Sequence, residues 1–162
     1  MKKHTILVIL ASYIASMTYL ATSYAIEGRK YPGSMCHAYF ANQTSKIQYL
    51  DGAKLYNNSY SSLWVACPVI IDHSGTVSGK QYALVHVKHS GRVTDDFTCI
   101  FKNIDDYNGS TLYSSSGRVS SYWAGQSELM RINIPRSYSA ISTIMCRVPA
   151  FSEIRNYIIG NN

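Results

Sequence analysis

The chain has 162 residues, with 15 lysines and arginines against 9 aspartates and glutamates, a formal net charge of +6, four cysteines and fourteen tyrosines. That length suits one domain, and 46% apolar against 15% charged residues excludes a disordered tail. No glycine recurs at every third position, no heptad is sustained and no internal repeat is visible, which excludes collagen, coiled-coil and solenoid architectures.

Met1 to His4 form a short basic head, followed by an apolar run studded with small residues that ends in Ser23-Tyr24-Ala25. Small side chains one and three residues before a scissile bond suit a signal peptidase, so residues 1–25 are predicted to be a cleavable signal peptide helix, cut between Ala25 and Ile26. A retained anchor is the alternative, since Thr5 to Ala25 approaches the roughly 20 residues that span a bilayer. Ser12, Ser16, Thr18 and Ser23 would make it a poor permanent span, and no stable membrane anchor is expected after cleavage. The leader reads as bacterial, and the expected location is secreted or periplasmic. Without it 137 residues remain, with 13 basic against 9 acidic side chains and a net charge of +4. Beyond Arg29-Lys30 the cations are scattered singly, so no nucleic-acid partner is expected.

The mature chain keeps only three glutamates and six leucines, while serine, tyrosine, asparagine and threonine supply 45 residues. That composition disfavours helix and favours strands and turns; helix is confined to a turn near Asp51 to Leu55 or Asp105 to Tyr107. Leu63 to Ile71 is apolar on both sides, as in a strand covered on both faces, with Pro68 marking an edge, bulge or strand end. Asp72-His73-Ser74 contains the residue types of a hydrolytic triad, but adjacent side chains cannot form its chain of contacts, and Gly75 makes the segment a turn. Alternation then resumes. Ala83, Val85 and Val87 oppose Leu84, His86 and Lys88; Phe97, Cys99 and Phe101 share a face; so do Met130, Ile132 and Ile134; and Ala140, Ile144, Cys146 and Val148 form a last inward row. Asp95-Asp96 and Asp105-Asp106 read as strand-end carboxylates that satisfy turn donors rather than as a calcium loop. About seven to nine short strands separated by turn residues predict an all-β fold, an antiparallel β-sandwich of jelly-roll or immunoglobulin-like form, as a single domain over residues 26–162.

Cys36, Cys67, Cys99 and Cys146 are spaced 31, 32 and 47 residues apart with no CxxC pair, which argues against zinc and redox sites. In an exported chain an even count reads as two structural disulfides. Three pairings are open. The favoured one joins Cys36 to Cys67 and Cys99 to Cys146, because Cys99 and Cys146 each fall on the apolar side of a strand and could meet across a core. The order Cys36, Cys67-Pro68, Phe97-x-Cys99-x-Phe101, Cys146-Arg147-Val148-Pro149 and Ile154-x-x-Tyr157 resembles a loose group of small exported bacterial four-cysteine β-sandwich proteins of uncharacterised function. The resemblance implies export and the sandwich, and no activity.

Chemistry is sparse. There is no nucleophile elbow, zinc-binding helix or phosphate loop, and no cofactor is expected. His86 and His89 fall on opposite faces of a strand, and His37 and His73 lie in unrelated segments, so no catalytic or metal set is predicted. The Ser/Gly/Asn-rich stretch from Asp105 to Ser127 carries Tyr107, Tyr113, Tyr122 and Trp123, a mixture similar to antibody paratopes. It is the predicted binding surface, although Tyr122 and Trp123 suit a sandwich core better. The expectation is a non-catalytic binding module with a protein or glycan partner. One alternative is a structural subunit of a surface appendage or coat, with Ile26 to Tyr31 or Ile154 to Ile159 as a donor strand. Another is a small secreted enzyme whose site gathers distant residues such as His86, His37 and Asp95.

Overall fold

Period-2 alternation sorts the side chains: in Leu63–Val69 the odd positions are buried and the even ones half-buried, and Phe97–Ile104 follows the same pattern. The computed structural model describes residues 28–70, 81–104, 109–120, 125–134 and 141–161, without the side chains of Leu112, Tyr113 and Asn161. The leader with its Ala25-Ile26 cleavage site, Asp72 to Ser74, Asp105-Asp106, Tyr107, Tyr122 and Trp123 lie outside the described residues.

Among the described residues there are eleven strands: β1 (Arg29–Pro32), β2 (His37–Ala38), β3 (Ile47–Leu50), β4 (Lys54–Asn57), β5 (Leu63–Val69), β6 (Gln81–Lys88), β7 (Phe97–Ile104), β8 (Thr111–Val119), β9 (Ser127–Ile134), β10 (Ile141–Val148) and β11 (Glu153–Asn161). They form two antiparallel sheets. One has the order β3-β4-β11-β6-β9 with β1 also paired to β11; the other has the order β2-β5-β10-β7-β8. The inner faces meet in a core that includes Val65, Val85, Val87, Phe97, Phe101, Ile132, Ile144, Ile154 and Tyr157, and burying these side chains is the main stabilising term. The predicted all-β sandwich is therefore what the chain adopts.

Several local expectations change. The described helical turns are 3-10 segments at Gly33–Met35 and Ala41–Lys46, not at Asp51 to Leu55. There, Asp51 (φ 54°) and Gly52 (φ 65°) have consecutive positive φ angles, and Ala53 N–H donates to Leu50 O at 3.1 Å, closing the tight hairpin between β3 and β4. The outer side of β5 is only half-covered: Trp64, Ala66 and Pro68 are half-buried and Ile70 beyond them is 56% exposed. Pro68 lies past the two-residue pairing with β2, where β5 is itself an edge and a missing donor is tolerated.

The disulfides are Cys36–Cys67 and Cys99–Cys146. Neither crosses between the sheets. Cys99 and Cys146 are register partners on β7 and β10, with Cα atoms 4.0 Å apart. Cys36 precedes His37, which pairs with Ala66, so the first bond likewise ties neighbouring strands. Both bonds lie on the inner face of the five-stranded sheet in adjacent cross-strand rows, because Cys67 pairs with Ile144 and Val65 with Cys146. The inward alternation of Cys99 and Cys146 thus reflects strand neighbours rather than a bridge through the core.

Candidate functional site

At one end of the sandwich three connections converge: the β4–β5 loop, the β6–β7 loop and the four-residue β10–β11 turn Pro149-Ala150-Phe151-Ser152. Each contributes buried polar groups that would be costly without partners, and those groups stitch the loops together. Asn57 is fully buried; its Nδ2 donates to Ser61 O, Val148 O and Pro149 O at 2.9, 3.0 and 2.9 Å. Its Oδ1 accepts from Ser59 N and Ser59 Oγ. His89, 1% exposed, accepts at Nδ1 from Gly91 N–H at 3.1 Å. Its proton therefore sits on Nε2, which donates to Asp95 O at 2.7 Å. Ser90 Oγ donates to Ala150 O, and Ser152 Oγ accepts from Ser90 N–H. Gly125, in the β8–β9 connection, donates to His89 O at 2.7 Å.

This stitched floor carries an aromatic group in an unusual backbone state. Phe151 has φ 57° at the turn position where Ser152 N–H donates back to Pro149 O. Glycine is the natural occupant of such a position, and a bulky residue there costs roughly 1–3 kcal/mol. The Phe151 ring meets Tyr60 edge-on with centroids 5.0 Å apart, and the Arg92 guanidinium lies 5.4 Å above it. Tyr60 is 92% exposed, whereas Phe151 is half-buried. Phe151 and Arg92 line a hollow of about 310 Å³ together with Tyr56, Lys88 and Glu153.

Further along the outer face of the six-stranded sheet is a second hollow of about 580 Å³, lined by Lys30, Lys54, His86, Arg155 and Asn156 among others. A β-bulge shapes it. The register passes from Ile154↔Val87 directly to Asn156↔His86, so Arg155 is the extra residue, and Arg155 and Asn156 both reach the hollow; bulges often re-aim side chains in this way. Arg155 Nε donates to Glu153 Oε1 at 2.7 Å. Asn156 Nδ2 donates to His86 Nδ1 at 3.3 Å, which requires a free lone pair on that nitrogen. Burial holds the His86 pKa below the ordinary histidine value, and the positive charges of Arg155 and Lys30 act in the same direction, against Glu153.

The residues singled out from the sequence are not gathered into one site. His37 is exposed in β2 at the edge of the five-stranded sheet, whereas His86 belongs to the other sheet. Asp95 is bound by Arg147 at 2.9 Å and by the Ser62 hydroxyl, and Asp96 by Arg118. These carboxylates are thus bound by side chains from other segments. Among the described residues, no group of three or more His, Cys, Asp or Glu is placed to hold a metal ion, and no helix is long and apolar enough to cross a membrane. Of the predicted aromatic surface, Tyr113 lies in β8 opposite Asn103. Phe151 and Tyr60 were not singled out from the sequence. The available signals were an aromatic residue inside a four-residue connection after Pro149 and another inside the polar run from Asn57 to Ser62.

The fold defines a class before it suggests a function: two antiparallel sheets with loops gathered at one end. The solved structure of CsCBM6-3 from Clostridium stercorarium, a carbohydrate-binding module in complex with cellobiose, is similar with a TM-score of 0.50 at 10% identity, covering 83% of this chain and 94% of that one. The C-terminal CBM6 of LamC, a marine laminarinase from Zobellia galactanivorans, aligns with a TM-score of 0.46 at 13% identity over 83% of this chain and all of that one. At such identity the first likeness speaks to the β-sandwich alone. No family model and no curated protein matches the chain.

Proposed function

We propose that this is an exported, non-catalytic glycan-binding module, with residues 1–25 as its leader and residues 26–162 as one domain, and that sugar rings dock at the Phe151 end. The observation that carries the reading is Phe151, a bulky ring held at positive φ on a cross-braced floor and flanked by exposed Tyr60. Pyranose rings present an apolar C–H face and a rim of hydroxyls. An open aromatic surface receives the first, and charged side chains such as Lys88, Arg92 and Glu153 bind the second. The cellobiose-bound module of similar fold supports the choice of ligand class, and the two disulfides support an oxidising compartment. The appendage alternative needs a free strand, yet β11 is paired with β1, β4 and β6, so among the described residues both candidate donor segments contribute strands already paired within their own sheet.

The test compares the protein with its Phe151→Gly variant on a panel of neutral and acidic polysaccharides by affinity electrophoresis and calorimetry. Removing the ring should weaken binding at least about tenfold, equivalent to ~1.4 kcal/mol. The thermal midpoint should hold or rise, because glycine accepts positive φ freely. A wild-type protein that binds nothing on the panel, or a variant that binds equally well, would overturn the proposal.

A further inference from the structure

Resting on the glycan-binding reading, the geometry points to an acidic polysaccharide as the ligand, a chain bearing carboxylate or sulfate groups that runs from the Phe151 end along the outer face of β6 and β11 into the second hollow. Three observations carry it.

The two hollows form one track. Lys88 and Glu153 are register partners and line the first, while His86 and Asn156 are the next such pair and line the second. Lys88 and His86 are two residues apart on one face of β6, roughly 6.6 Å along the strand.

The track is cationic, and its charge is only partly offset. Arg92, Lys88, Arg155, Lys54 and Lys30 follow one another along it. Arg155 is paired with Glu153 and Lys54 with Asp51. Among the described residues, Arg92, Lys88 and Lys30 have no carboxylate within ion-pair distance, whereas Arg118 and Arg147 on the other sheet each have one.

Between these charges stand neutral hydrogen-bonding groups. His86 Nδ1 accepts from Asn156 Nδ2, a contact that favours the uncharged ring. Cations alternating with an amide and a neutral imidazole match a polymer whose anionic groups alternate with hydroxyls. A uniformly charged backbone, such as that of a nucleic acid, would leave those neutral groups facing phosphate. An exposed track of this kind acts through screened charges, so its contribution should fall steeply with salt.

The experiment measures binding of the protein to polygalacturonate, alginate, dextran, laminarin and duplex DNA in 20 mM and 500 mM salt, with a Lys30→Glu/Lys54→Glu variant alongside. The expected result is at least about tenfold tighter binding of the uronate polymers than of the neutral ones at low salt, largely lost at 500 mM salt. The variant, altered at exposed Lys30 and half-buried Lys54, both far from Phe151 in the sequence, should lose about tenfold toward uronates and keep any affinity for laminarin. Equal affinity for acidic and neutral polymers, unchanged uronate binding by the variant, or DNA binding as tight as polygalacturonate would each overturn the inference. Binding of laminarin without preference for uronates sinks the acidic ligand and leaves the glycan module standing, whereas binding of no polysaccharide sinks both.

Discussion

His86 shows how one side chain records its surroundings. It lies on the outer face of a strand, where solvent alone would leave it titrating near the usual value of about 6.5. Desolvation and the nearby charges of Arg155 and Lys30 depress its pKa in the folded protein, and the hydrogen bond from Asn156 is lost if Nδ1 takes a proton. The folded state therefore favours the neutral ring. As the pH falls below about 6.5, the unfolded chain binds the proton first, so stability present above that value is lost progressively toward the lower folded-state pKa. The thermal midpoint of the protein should accordingly fall between pH 7 and pH 5 by more than that of a His86→Gln variant, which carries no titrating ring. Parallel midpoint-against-pH curves for the two proteins would refute this account. A hydrophobic-moment view of the strand sees only a polar residue at an even position. The charges that act on it come from β1 and from a bulge in β11, and neither is visible in the local pattern.

The same bulge depends on an element next to it. A Cβ placed on Gly33, in the 3-10 turn after β1, would sit 2.1 Å from Ile154 O and 2.9 Å from Ile154 C. Both obstacles are backbone, so no side-chain rotation relieves the clash. Gly33→Ala must then push the turn away from β11 beside the residue that presents Arg155, with a cost of about 2–3 kcal/mol typical of an overpacked site. Urea denaturation should show that loss, and a variant as stable as the parent would show that the turn has more freedom than its contact with Ile154 allows. These elements also mark where sequence reading stops. β6, β7, β9 and β10 are each eight residues long, enough for four inward positions to declare a period of two. β1 to β4 have two to four residues and show at most two positions per face, so no alternation could reveal them. The candidate site was less legible still. Asn57 ends β4, and Tyr60, Arg92 and Phe151 occupy three connections, the four spread over nearly a hundred residues, and only the sheet order brings them to one end. The polar, aromatic composition of Asp105 to Ser127 drew attention to a different stretch because composition registers local enrichment and not convergence.

At the scale of the molecule the two disulfides have similar loop lengths but unlike settings. They close separations of 31 and 47 residues, and restricting the unfolded chain by loops of that size is worth about 4 kcal/mol each, a large part of the roughly 5–15 kcal/mol that stabilises an ordinary domain. Cys99–Cys146 lies within a ladder of seven paired positions between β7 and β10, so the folded arrangement there is held independently of the bond. Cys36–Cys67 adjoins only two paired positions between β2 and β5, and the segment from Gly33 to Lys46 is otherwise tied by a few bonds, such as Tyr39 N–H to Trp64 O at 2.9 Å and Tyr49 Oη to Cys36 O at 3.1 Å. Removing the two bonds should therefore give different signatures. In a Cys99→Ala/Cys146→Ala protein the urea midpoint should fall with protection of backbone amides declining uniformly, since the unfolded state has gained freedom and the native ladder persists. A Cys36→Ala/Cys67→Ala protein should show a comparable fall in global stability and, in addition, fast hydrogen exchange confined to residues 33–46 well below the unfolding transition, the mark of a sub-global opening. Identical exchange patterns in the two variants would mean that β2 and the turns around it are held by packing rather than by the bond at Cys36.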